Sequence, residues 1–191
     1  MQMTDRSALH FVRQVQRAFG FLPDAGFAQF EASPTLVRYR KGDVEVDIYH
    51  GRQSYEIGGG VTLAGTRYAM SEIIRTVDPE VAKGYRSVVA TTAEGVAAGL
   101  EELASLMQLY GLGALSGEQQ FVALLEQQRK QWADGYALDV LAAQLRPQAE
   151  DAFRRGDYEQ AAELYGRIRE RLSPAEAKKL LLAQERRAGR P

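Results

Sequence analysis

Ala8, Phe11, Val12, Val15 and Phe19 recur at helical spacing, which predicts a helix over 8–19 with Gly20 as its stop. Thr4 or Ser7 is placed to cap its start. The period then shortens to that of strands. Phe27 to Glu31 reads as a first short strand, closed by Ser33-Pro34. Two alternating runs, 35–40 and 44–49, flank Lys41-Gly42, which reads as a two-residue turn. Centred there, the turn sets Val37 opposite Val46 and Tyr39 opposite Val44 on one face, with Arg38 opposite Glu45 and Arg40 opposite Asp43 on the other. Gly51-Arg52 reads as a second turn, placing Ile48 against Tyr55 and Val46 against Ile57. The third strand continues through Gly58-Gly59-Gly60 to Val61 and Leu63.

After Thr66 the pattern is helical to the end. Ser71 is a cap for a helix over 72–77, and Asp78-Pro79 opens another. Thr91 with Glu94 forms a capping box for a helix that Gly111 stops. Ser116 begins a long helix running past Trp132 and Tyr136 to Leu145, where Pro147 predicts a break. Asp157 and Ser173-Pro174-Ala175-Glu176 cap the last two. The fold class predicted is α+β: an N-terminal helix packed on a 3–4-stranded antiparallel meander, then a mostly helical C-terminal half.

Ala149, Ala152, Phe153, Gly156, Tyr158, Ala161 and Tyr165, followed by Pro174, read as A-x-x-A-F-x-x-G-x-Y-x-x-A-x-x-x-Y. Residues 149–174 thereby resemble a single tetratricopeptide-like helical hairpin, in which small residues let two helices approach. Ile168 departs from the Ala that family prefers, Pro174 falls one place late, and no second copy follows. A stacked superhelical groove is therefore not expected. The expected segments are 1–66 (helix and sheet), 67–146 (helices packed on it) and 147–191 (tetratricopeptide-like helical hairpin and last helix), together forming one compact unit.

Composition narrows the chemistry. The 191 residues are 45% hydrophobic with a formal net charge of −1, so no global field points to nucleic acid or a membrane. Arg167, Arg169, Arg171, Lys178, Lys179, Arg186, Arg187 and Arg190 outnumber the acids near the end of the chain, and the expectation is cations gathered on the last helices. Cys is absent, which excludes disulfides and thiolate chemistry. The opening Met1 to Arg6 leads into an amphipathic pattern, so the expected compartment is the cytoplasm of a prokaryote-like cell.

No catalytic motif emerges. His10 and His50 lack neighbouring metal ligands, and Gly58-Gly59-Gly60 lacks the Lys-Ser/Thr of a phosphate loop. Ser54 and Ser71 have no nucleophile context, and the adjacent acids Glu101-Glu102 and Glu150-Asp151 do not face each other on a helix. No metal and no cofactor is expected. What stands out is the polar face of the meander, where the register sets Asp47 against Glu56, with Tyr49, His50 and Arg52 close by. Facing acids repel, so a partner protein meets this face, or helices of the C-terminal half cover it and an Arg from them neutralises the acids, or the register itself is wrong.

The overall layout, with a meander carrying Val-Arg-Tyr-Arg and Ser-Tyr-Glu-Ile, resembles small bacterial immunity-type proteins, which neutralise toxins delivered by neighbouring cells. That resemblance implies a non-catalytic protein whose partner is a toxin, and the polar face of the meander supplies the expected partner-binding residues Asp47, Tyr49, His50, Arg52 and Glu56. Two alternatives stand beside it: an adaptor or chaperone binding a peptide or partner helix through the helical half, and a carboxylate-dependent hydrolase around Asp47 and Glu56.

Overall fold

The structure is a computed structural model that describes residues 6–188. The capping side chains expected at Thr4 and Ser7 lie outside what is described, as does Arg190. The architecture is α+β, and the chain divides into two compact units, residues 1–128 and 129–191. The boundary falls within a helix, where the sequence offers no break.

In the first unit a 3-10 turn (Arg6–Leu9) leads through His10 into α1 (Phe11–Ala18). His10 takes a left-handed conformation (φ 49°), so the helix expected from Ala8 starts only at Phe11. After α2 (Phe21–Asp24) come five antiparallel strands in chain order: β1 (Ala28–Ser33), β2 (Leu36–Lys41), β3 (Val44–His50), β4 (Glu56–Leu63) and β5 (Thr66–Ala69). A sixth, β6 (Val88–Val89), pairs with the start of β4, giving two strands more than the meander predicted.

Both hairpin registers differ from expectation by an even number of residues. Tyr39 faces Val46 and Arg40 faces Glu45, so the first turn centres on Gly42-Asp43 rather than Lys41-Gly42. Gly42 takes φ 56°, which glycine adopts without strain. Across the second hairpin Ile48 faces Gly59 and Asp47 faces Gly60, four residues from the expected Tyr55 and Glu56. The second connection is a loop over 51–55, closed by Gly51 N–H donating to Glu56 O at 2.7 Å. Even shifts leave every side chain on its own face, so the apolar face was assigned as it stands.

That inner face carries Val37, Tyr39, Val46, Ile48, Ile57, Val61 and Tyr68, all buried, under Phe11, Val15 and Phe19 at the start of the chain. Each such side chain contributes about 1.5–3 kcal/mol by leaving water. Next come α3 (Met70–Val77), α4 (Pro79–Gly84) and α5 (Ala93–Tyr110), the last packing on α1 and β4. A Cβ on Gly59 would stand 2.8 Å from the Asp47 carbonyl oxygen of β3, so this position takes only glycine, while Leu103 of α5 packs over that point at an ordinary 3.4 Å.

Asp78 caps α4 as expected, accepting from the backbone N–H groups of Glu80 and Val81. The cap of α5 is Thr92 rather than Thr91, accepting from Gly95 N–H at 3.1 Å. Ser71 does not cap α3; the Glu72 carboxylate instead accepts from Ala69 N–H at 2.9 Å. Ser116 ends the short α6 (Leu112–Ser116), and Gly117 (φ 68°) turns the chain into α7 (Gln119–Arg154).

In the second unit Pro147 sits inside α7 instead of breaking it. A proline deletes one helical hydrogen bond and crowds one carbonyl, but Leu145 and Ala149 on either side are buried in a core that holds the helix together. Asp157 caps α8 (Tyr158–Arg167), and Ser173 with Glu176 closes the capping box of α9 (Pro174–Ala188). Ala149, Ala152, Ala161, Ala162 and Ala183 let these helices approach around Tyr165 and Ile168.

Candidate functional site

The outer face of the sheet is a ladder of alternating charge. Glu31 pairs with Arg38 across β1 and β2 at 3.1 Å, and Arg38 faces Asp47 on β3. Opposite Asp47 stands Gly60, and Arg67 of β5 reaches over it to Asp47 with two bonds, Nε to Oδ1 at 2.7 Å and Nη2 to Oδ2 at 2.6 Å. A Cβ on Gly60 would stand 2.9 Å from the Arg67 guanidinium, so this glycine is the gap through which the pair forms. Arg40 adds a bond to Glu45 at 2.6 Å and lies 4.3 Å from the Phe30 ring centre. Phe30 sits at a bulge in β1, between the pairs made by Gln29 and Glu31. The facing acids expected at Asp47 and Glu56 do not occur. Asp47 is neutralised by Arg67 of β5, from across β4 and not from a helix, and its side chain keeps 13% exposure against 43% for Arg67.

Tyr49 lies opposite Gly58, and its ring fills the space a Cβ there would take, with 2.4 Å from that position to Cζ. This is an aromatic laid across a glycine on the neighbouring strand, which returns packing to a bare stretch of backbone. Arg67 stands 5.9 Å from the ring centre on the same face. Beyond Tyr49 opens a cavity of about 310 Å³ lined by Tyr49, Glu56, Ser71, Tyr85, Arg86 and Ser87 over a floor of Gly58 and Gly59. Burial pushes the Tyr49 phenol above its ordinary value, and the negative charge of Glu56 adds to it. Tyr85 is raised by burial too, against a hydrogen bond with Ser87, with Glu56 again contributing. Both rings therefore sense the Glu56 carboxylate.

His50 was expected at the rim beside these residues; it is buried on the opposite side of β3, at 1% exposure. Its Nε2 donates to Ala90 O at 2.8 Å and its Nδ1 accepts from Arg6 at 3.2 Å, the pattern of a neutral imidazole. The ring is 6.0 Å from Phe11 and 5.9 Å from Tyr55. Arg6 also donates to the carbonyls of Gly51 (3.0 Å) and Arg52 (2.5 Å). His50 is thus a post that, together with Arg6, fixes the 51–55 loop. Arg52 stays exposed on that loop. The five expected site residues divide accordingly: Tyr49 and Glu56 share a cavity, Asp47 adjoins it through Arg67, and His50 and Arg52 stand apart.

Among the described residues, no group of three or more His, Asp or Glu side chains is placed to hold a metal ion. No described helix is long and apolar enough to cross a membrane. On the basic last helices, Lys179 binds Glu150 at 2.6 Å and Arg171 binds Asp139 at 2.5 Å, while Arg186 lies over the Tyr158 ring at 4.8 Å. On α7, Trp132 (58% exposed) and Tyr136 (61%) stack with centres 5.8 Å apart. No protein-family model, curated protein or solved structure matches the chain.

Proposed function

We propose that this chain acts by binding a protein partner without catalysis, as an immunity-type protein of the bacterial cytoplasm that neutralises a toxin. The observation that supports this reading is the outer face of the sheet. Tyr49 packs across Gly58, Asp47 is clamped by Arg67, and Glu56 stands beside them on an open face. An aromatic and charged surface already ordered in the free protein loses little entropy when it meets a partner. Occlusion of a toxin's active site or substrate groove requires such a rigid surface and no chemistry.

A second reading, an adaptor using the helical half, draws on the exposed stack of Trp132 and Tyr136. The hydrolase alternative rests on Asp47 facing Glu56, whereas Asp47 faces Gly60 and is bound by Arg67. The functional test is co-production in a bacterial host with the product of the gene adjacent to this one. Restored growth that Tyr49→Ala abolishes supports the toxin-neutralising reading. Growth arrest unaffected by the intact chain refutes it.

A further inference from the structure

We infer that the cavity beside Tyr49 receives a basic side chain, lysine or arginine, from the protein partner; this rests on the function proposed above. The cavity is built for a cation on an apolar stem. Its one carboxylate, Glu56, is half-buried at the start of β4, where its backbone N–H is held by Ser54 Oγ at 3.4 Å. Among the described residues that carboxylate has no ion-pair partner, whereas Glu31, Glu45, Asp47, Glu101 and Glu150 each have one.

The two cations nearest the cavity are spoken for. Arg67 is clamped on Asp47, and Arg86 donates from Nη1 to the carbonyls of Lys83 (3.1 Å) and Tyr85 (2.6 Å). Tyr49 and Tyr85 wall the cavity with aromatic rings, which attract ammonium and guanidinium groups through their faces. Both phenols are uncharged at neutral pH, as tyrosine ordinarily is, so they offer rings and hydroxyl oxygens and add no second negative charge. A volume of about 310 Å³ admits one side chain with its residual water and excludes a folded segment. An acid with two aromatic walls, which forms no ion pair with the Arg86 that lines the same cavity, is complementary to a cation supplied from outside.

The test is a titration of the full chain, followed through the backbone amide resonances of Gly58, Gly59, Ser71 and Ser87. The probes are N-acetyl-lysinamide, N-acetyl-argininamide, the neutral N-acetyl-norleucinamide and inorganic phosphate. Both cationic probes should give saturable shifts at these amides, weakened by about fivefold or more in Glu56→Gln. Tyr85→Leu should weaken them as well while keeping the carboxylate. Equal shifts with norleucinamide, shifts with phosphate in place of the cations, or an unchanged response in Glu56→Gln would each overturn the inference. Failure here is separable from failure of the proposed function. A chain that rescues growth but is indifferent to Glu56→Gln in both assays refutes the cavity alone. One that takes the cationic probes but protects nothing keeps the cavity and refutes the toxin-neutralising role.

Discussion

Arg67 and Asp47 should be energetically coupled, and the strength of that coupling follows from their geometry. Two unit charges about 4 Å apart attract by about 4 kcal/mol at an effective dielectric constant near 20. Arg67 is 43% exposed, so water and salt reduce that figure, and ordering its long side chain reduces it further. Asp47, at 13% exposure, and the two-bond geometry at 2.6 and 2.7 Å act the other way. The expected coupling is about 1–2 kcal/mol, above the ~0.2–1 kcal/mol of a fully exposed pair. The assay is chemical denaturation of four proteins: wild type, Asp47→Asn, Arg67→Met and the double variant. Arg67→Met should destabilise most, because it leaves a partly buried carboxylate without its cation. A parallel cycle on Arg40 and Glu45 should give a smaller coupling, and one on Arg38 and Glu45 none, since the register sets that pair two residues apart. A coupling below about 0.3 kcal/mol between Asp47 and Arg67 would refute the ladder. A stronger cycle for Arg38 with Glu45 than for Arg40 with Glu45 would return the turn to Lys41-Gly42.

Gly59→Ala should destabilise by about 1–3 kcal/mol, because the new methyl meets a backbone carbonyl that cannot swing aside; a denaturation midpoint equal to wild type would contradict the close contact of Gly59 with the Asp47 carbonyl. Gly58→Ala should cost less, since the atoms it meets are the end of the Tyr49 ring, which can rotate away. For Tyr165, burial, reinforced by donation to Glu150 at 2.8 Å, raises the phenol above its ordinary 10.0. Folded and unfolded chains both hold that proton below pH 10, and above it the unfolded chain releases it first, so stability falls as pH rises past that point. The Tyr165→Phe protein should lose less stability over the same alkaline range. Phenolate absorbance from Tyr165 in still-folded protein near the ordinary value would contradict this.

The sheet shows how far a sequence pattern reaches. Alternation places Val37, Val46 and Ile48 on one face and Arg38, Asp47 and Tyr49 on the other, and any even shift preserves that division. It cannot choose among registers two or four residues apart. The first choice depends on the left-handed Gly42, and the second on the 51–55 loop held by Arg6 and His50. β5 was legible in principle, since Ala64-Gly65 is a turn and Tyr68 alternates with Arg67, but four residues are outweighed by the helical run that follows. β6 is two residues long and makes its bonds to a distant strand, so no local pattern marks it. Caps were read well where the side chain has a single place to go, as at Asp78, Asp157 and Ser173, and missed by one residue where Thr91 and Thr92 compete.

The site was legible in part. Tyr49 and Glu56 were singled out, but for a repulsion that does not exist. Their cavity depends on Tyr85, Arg86 and Ser87, which approach β4 only because β6 pairs with it. His50 was misplaced because a two-residue turn at Gly51-Arg52 sets it at the rim of a hairpin. What marks it as internal is the pair of aromatics, Phe11 and Tyr55, that the fold brings to its two sides.

The claim that the outer face of the sheet is the partner-binding surface is tested most directly by calorimetric titration of the adjacent gene's product into four proteins. These are wild type, Tyr49→Ala, Glu56→Gln and Trp132→Ala, each first shown to be folded. The account predicts a loss of about 2 kcal/mol or more for Tyr49→Ala, roughly thirtyfold in Kd, and a smaller loss for Glu56→Gln. Trp132→Ala should bind as wild type does. Unchanged affinity in Tyr49→Ala together with a large loss in Trp132→Ala would contradict the account and move the interface to the helical half.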